Sequence, residues 1–153
     1  MTPLYGHSRE VAAFVASLIP ECSRGFGNCT AIGVLDGDRL VSGLVYHNWN
    51  PESGVIEMSC ASTTPRWLTR PILRVIYEYP FTEVGCQLVV SRVAEDAKHL
   101  RRMWKALGAS EYIIPRLRGR AASEAILTLT DEAWANSKFM RGHNGQAKTT
   151  KAA

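Results

Sequence analysis

Residues 54–81 read GVIEMSCASTTPRWLTRPILRVIYEYPF, and the hydrophobic period changes inside this stretch. From 54 to 63 the alternation puts Val55, Glu57 and Ser59 on one side and Ile56, Met58 and Cys60 on the other. That is the two-residue period of a strand. From 70 to 81, Ile72, Val75, Ile76 and Tyr79 fall at helical spacing,. Between the two lies STTPRWLTRP, residues 62–71, a strand-to-helix loop with Thr69 placed as N-cap,.

Upstream, CTAIGVLD (29–36) and RLVSGLVYHNWN (39–50) are strand-like runs joined through Asp36-Gly37, a hairpin signal,. Asn50-Pro51-Glu52-Ser53-Gly54 makes a second turn into the 54–63 strand, so the three strands form an antiparallel meander,. Before them, residues 7–19 place Val11, Phe14, Val15 and Leu18 on one helical face, and Pro20 stops the helix,. Downstream, CQLVVSRV (86–93) reads as a strand. DAKHLRRMWKAL (96–107) reads as a helix with Leu100, Met103, Trp104 and Leu107 on one side and Gly108 as its cap,. SEYIIPRL (110–117) and SEAILTLT (123–130) close the order as a strand pair. The order predicts an α/β fold with a mixed sheet. The third strand, the helix at 70–79 and the strand at 86–93 form a β-α-β unit, so those two strands are expected to lie parallel.

The chain has 153 residues, 46% of them hydrophobic and 21% charged, which suits one globular domain,. No apolar run approaches membrane-spanning length, and residues 1–10 hold no signal-peptide pattern, so a cytoplasmic protein is expected,. The net charge of +4 is carried by residues 136–153, where Lys138, Arg141, Lys148 and Lys151 stand without an acid. Residues 1–135 hold 14 basic and 14 acidic residues, a neutral balance that disfavours a dedicated nucleic-acid binder,. The expected layout is a domain over 1–135 and a basic, disordered tail over 136–153. Cys22, Cys29, Cys60 and Cys86 form no CxxC pair and have no histidine pair at zinc spacing,. They are read as reduced, mostly buried thiols, and no metal site is expected.

Amides at the start of a helix point outward into a partial positive charge, so the 62–71 loop can cradle phosphates. Pro65 and Pro71 cannot donate; Arg66, Trp67, Leu68, Thr69 and Arg70 can, and the two guanidinium groups can also pair with phosphate,. The competing reading is an ordinary loop capped by Thr69.

The element order and this loop resemble the GNAT superfamily of N-acetyltransferases, over roughly residues 5–130. The family's pyrophosphate loop follows [QR]-x-x-G-x-[GA], and Arg66-Trp67-Leu68-Thr69-Arg70-Pro71 stands in its place. The arginine matches; Thr69 and Pro71 replace the two small residues. Downstream, Trp104-Lys105-Ala106-Leu107-Gly108-Ala109 resembles the family's Tyr-x-x-Leu-Gly-Phe, with Leu107-Gly108 matching, Trp104 at the tyrosine and Ala109 at the phenylalanine. Ala97 stands near the family's usual asparagine. The runs MWKALGA and IPRLRG resemble GNAT-like proteins of phages and prophages.

The resemblance implies a GNAT-like, mostly antiparallel sheet with a splayed parallel strand pair, flanked by helices. It also implies an N-acetyltransferase with acetyl-CoA as cosubstrate. The pantetheine arm would pair near Ser59, Cys60 and Ala61, and the pyrophosphate would sit on Arg66, Trp67, Leu68, Thr69 and Arg70. The 3′-phosphate would meet Arg101, or Lys98 or Arg102. Glu57 interrupts an apolar strand just before these contacts and is the candidate general base, its pKa raised by a partly apolar cleft. Trp104 has no ionisable proton, so Tyr112 or a water becomes the candidate general acid. His47 and Trp49 are candidates for the acceptor side. The acceptor is expected to be a primary amine on a small molecule or a macromolecule. A membrane partner is not expected, and homodimerisation is left open. Two other functions fit the same residues. One is a DNA-modifying relative acting on a nucleobase, suggested by the basic tail and Arg116, Arg118 and Arg120. The other is a catalytically silent acyl-CoA-binding or assembly protein, suggested by Trp104 and the absent loop glycines.

Overall fold

Asp36 and Arg39 pair across the two-residue turn Gly37-Asp38, and that turn starts the sheet. Gly37 takes φ 61°, a left-handed value that costs glycine no Cβ clash,. The computed structural model describes residues 1–140, which group into two compact units, the first Met1–Cys86 and the second beginning at Gln87.

In the first unit, β1 (Thr2–Leu4), β2 (Cys29–Asp36), β3 (Arg39–Asn50) and β4 (Val55–Ser62) pair in that order, all antiparallel. The short strand β1 was not expected from the sequence; three residues with a central proline carry no readable period. Helix α1 (Ser8–Leu18) packs on the sheet face that carries Ala31 and Val45. Its contact is narrower than the sequence stripe suggests. Val11 and Val15 are wholly buried, whereas Phe14 is half-buried and Leu18 exposed. The helix comes this close because β3 has a glycine beneath it. A Cβ on Gly43 would lie 2.6 Å from Val15 Cγ2 and 2.7 Å from Val11 Cγ1.

Helix α2 (Arg70–Glu78) buries Ile72, Leu73, Ile76 and Tyr77. Its link to the sheet is the buried Tyr46 hydroxyl, which donates to the Ile76 carbonyl at 2.5 Å. Pro80 explains that bond. It stands four residues after Ile76 and has no N–H to give it, so the tyrosine supplies the missing donor. The α-helix accordingly stops at Glu78, within a residue of the expected end at 79, and a π-helical turn continues over Tyr79–Val84. Gly85, at φ 84°, ends that turn.

In the second unit, β7 (Glu124–Thr130) lies between β5 (Leu88–Ala94) and β6 (Ser110–Ile114), antiparallel to both. Ala125, Leu127 and Leu129 are fully buried, as is Trp104 of helix α3 (Lys98–Ala106). Gly108 takes φ 102° and ends α3, as its place in the sequence suggested,. Strand β6 stops at Ile114, short of the expected Leu117, because Pro115 removes a donor and Arg116 turns left-handed at φ 68°,. A further helix, α4 (Asp131–Ala135), follows β7 directly. Thr130 caps it by accepting the Ala133 N–H at 3.1 Å, and Asp131 and Glu132 occupy its first turn,.

The tail expected from residue 136 is described as far as Met140. Asn136 caps α4 and Ser137 is buried; residues 141–153 lie outside the described residues. The cysteines form no disulfide among the described residues. Cys86 is buried and the other three are half-buried, Cys22 and Cys29 at loop margins and Cys60 within β4. No described helix is long and apolar enough to cross a membrane.

Candidate functional site

The pairing of β3 with β4 sets His47 opposite Glu57, Val45 opposite Ser59 and Gly43 opposite Ala61. Antiparallel partners share a face, so the register gathers His47, Glu57 and Ser59 into one patch. His47 Nε2 lies 3.0 Å from Ser59 Oγ and 4.0 Å from Glu57 Oε1. Asn48 Nδ2 donates to Glu57 Oε2 at 2.9 Å. The Glu57 side chain is 19% exposed, enough to reach solvent or a ligand while its position is held from two sides.

Asn48 reaches Glu57 because the strand is irregular there. The ladder shifts register between His47 and Asn50, and Asn48 takes φ 50°, a left-handed value for a residue with a side chain. Such a bulge re-aims side chains at a local cost. It also leaves Trp49 54% exposed beside the cluster.

The Phe26 ring packs on the His47 imidazole at 5.0 Å between centroids. Burial pushes the imidazole pKa below its usual value, and the Glu57 charge only partly opposes this. His47 is therefore a neutral imidazole near pH 7, able to accept or to donate a hydrogen bond at Nε2. Burial pushes the Cys60 thiol up to about 11, so it is no thiolate near pH 7 and offers no nucleophile,.

Strand β4 runs from this cluster into the loop before α2. Thr69 caps the helix by accepting the Ile72 N–H at 3.4 Å, and Pro71 has none to give. Two of the five amides read as open are engaged: Arg66 N–H donates to Thr64 Oγ1 at 3.4 Å and Thr69 N–H to the Trp67 carbonyl at 3.2 Å. The amides of Trp67 and Leu68 have no partner among the described residues. The Arg66 and Arg70 residues are exposed. One turn beyond Arg70, the Arg74 guanidinium has a buried Nε with no hydrogen-bond partner among the described residues. The sequence reading missed Arg74; its i,i+4 spacing from Arg70 was the available signal.

Glu57, Ser59, Cys60, Ala61 and residues 66–70 thus belong to the first unit, on β4 and the loop that follows it. Arg101 and Tyr112 belong to the second. The Arg101 guanidinium is gripped by Glu111 through two bonds of 2.8 Å and reaches the Glu95 carbonyl at 2.5 Å. Lys98 and Arg102 are exposed on that helix, as is Lys105, which pairs with Glu111. Tyr112 stands 57% exposed on β6.

No protein-family model and no curated protein matches the chain. Solved structures do. A chimera of spermidine N-acetyltransferase SpeG from Vibrio cholerae and hSSAT is 12% identical, with a TM-score of 0.70 over 89% of this chain and 100% of that one. SpeG from Vibrio cholerae in complex with manganese ions gives a TM-score of 0.71 at 12% identity, covering 88% and 95%. A chain described as a presumed acetyltransferase gives 0.69 at 14% identity, covering 92% of each. At these identities the likeness is one of fold: the chain is a mixed α/β protein with the GNAT fold of N-acetyltransferases.

Proposed function

We propose that this chain is an N-acetyltransferase that moves an acetyl group from acetyl-CoA to a primary amine, with Glu57 as general base. The observation that carries the reading is the Glu57 carboxylate, held by Asn48 and flanked by neutral His47 on the strand that leads into the α2 loop. The residues present fit the anionic end of the cosubstrate. The amides of Trp67 and Leu68 and the Nε of Arg74 have no partner among the described residues, and Arg66 and Arg70 are exposed, in the loop and at the start of α2. Where the family loop leans on glycine amides, this loop relies on guanidinium side chains, which bind phosphate bidentately.

Acetyl-CoA, when bound, supplies the electrophilic thioester carbonyl. Glu57 takes the proton of the attacking amine, directly or through a water, as the new C–N bond forms and the C–S bond breaks. Asn48 keeps the carboxylate turned toward the acceptor. Neutral His47 adds no positive charge to repel an incoming ammonium. The leaving thiolate needs a proton from a general acid, for which the sequence offers Tyr112 or a water. Spermidine heads the acceptor panel, since it is named as the substrate of the Vibrio cholerae enzyme.

The test is calorimetric titration with acetyl-CoA and with dephospho-CoA. Acetyl-CoA is expected to bind, and Arg66→Ala, Arg70→Ala and Arg74→Met each to weaken it about tenfold or more, as for a charged hydrogen bond. Arg74→Met breaks no hydrogen bond among the described residues and keeps the apolar stem, so its melting temperature should stay near the parent's,. No heat of binding at millimolar acetyl-CoA would refute the reading.

A further inference from the structure

Strand β6 pairs with β7 on one side and ends the sheet on the other, where among the described residues no strand pairs with its backbone. Three consecutive residues on it are exposed: Tyr112 at 57%, Ile113 at 41% and Ile114 at 41%. Successive strand residues point to opposite faces, so this edge is apolar on both. Natural sheets usually blunt such an edge with charge, because it invites another chain. The one charged residue on β6, Glu111, is consumed by Arg101 and by Lys105 at 3.1 Å.

The loop that follows is folded rather than slack. Gly119 N–H donates to the Arg116 carbonyl, Ala122 N–H to Gly119 and Arg118 N–H to Ala122. Arg116 sits at φ 68°, a left-handed conformation that is strained for a residue with a Cβ,. Leu117 is 43% exposed beside it. Arg118 leans on Glu124 at 4.0 Å, whereas Arg116 and Arg120 are exposed, with no acid against their side chains among the described residues.

We propose that the open edge of β6 and the β6–β7 loop dock an extended acidic peptide segment of another protein, added as a further strand. The open backbone supplies its hydrogen bonds, Ile113 and Ile114 its apolar contacts, and Arg116 and Arg120 its charge partners. A second copy of this chain fits less well, because its β6 offers no unpaired acid to Arg116 and Arg120, Glu111 being held by Arg101 and Lys105. Residues 141–153 fit no better; they carry Arg141, Lys148 and Lys151 and no acid. A nucleic acid would answer the arginines but has no peptide backbone to complete the edge.

The test is fluorescence anisotropy with a labelled short peptide alternating valine and glutamate. Saturable binding is expected, weakening as salt rises. The Arg116→Glu/Arg120→Glu variant should lose about tenfold or more in affinity, the scale of two exposed charge pairs reversed. With the unaltered protein, the same peptide N-methylated at alternate residues should lose binding, which separates strand addition from plain charge attraction and needs no variant to fold. Three results would overturn the proposal: no saturation at millimolar peptide, equal binding of the valine–lysine peptide, or tighter binding of a single-stranded oligonucleotide than of the peptide. Sedimentation showing a dimer that Ile113→Lys dissolves would also overturn it, assigning the edge to a second copy.

Discussion

Replacing Tyr46 with phenylalanine removes one hydroxyl and almost no volume. The residue is 1% exposed, and its hydroxyl is the donor to the Ile76 carbonyl. Pro80 stands where the α-helical donor to that carbonyl belongs and has no N–H to give it,. Water is also kept out, because Ile76 is 2% exposed. The variant therefore leaves a buried acceptor unsatisfied, which costs about 1–3 kcal/mol rather than the smaller net value of an exchanged hydrogen bond. Urea unfolding should show that loss as a lower midpoint at unchanged slope. Adding Pro80→Ala supplies a backbone N–H. It also loosens the unfolded chain, which alone costs about 0.4–1 kcal/mol. The double variant should thus lose less than the two single losses added together. A Tyr46→Phe loss below about 0.5 kcal/mol, or strict additivity with Pro80→Ala, would refute the account of how α2 is joined to the sheet.

Gly43→Ala should destabilise by about 1–3 kcal/mol, because its Cβ would meet Val11 and Val15 in the tightest part of the α1 contact,; thermal melting reads this. Glu111 is held at a pKa of about 2, first by its hydrogen bond to Arg101. A depressed carboxylate stabilises above its unfolded pKa and loses that contribution as pH falls. Glu111→Gln should remove the part of acid destabilisation that lies between about pH 4.5 and 2, seen in melting curves against pH,. His47 has a lowered pKa, so the unfolded state binds its proton more readily and stability rises with pH. His47→Gln should flatten the stability profile just below pH 6.5, where the unfolded imidazole charges first,.

The meander was legible because short-range signals set it: the Asp36-Gly37 turn, the second turn at Asn50–Gly54, and the alternation from Val55 to Cys60. The same alternation placed Glu57 and Ser59 on one face. What the sequence could not supply was their company. His47 reaches Ser59 and Glu57 through register, and Asn48 reaches Glu57 through a bulge; neither leaves a periodic mark. Phe26 stands far from His47 in the chain, so the contact that covers the imidazole is tertiary. The π-helical turn after α2 follows from Pro80 together with a tyrosine more than thirty residues upstream. Arg101 looked like an open cation on a basic helix until β6 brought Glu111 to it. Helix α4 was readable, since Thr130, Asp131 and Glu132 make an ordinary helix start, but the strand pattern running up to Thr130 masked it.

The central claim is that Glu57 takes the amine proton in an acetyl transfer, and a pH–rate profile of Glu57→Gln tests it most directly. The assay reads CoA release from acetyl-CoA with spermidine and other primary amines, after calorimetry has shown that both proteins bind acetyl-CoA alike. The account predicts a rate lower by about 10²-fold or more at neutral pH, the range for losing a general base. It also predicts a defect that shrinks as pH rises, because more of the acceptor amine is then already neutral. Equal rates and the same acidic limb in parent and variant would contradict it, and would leave Glu57 with the structural task of anchoring Asn48.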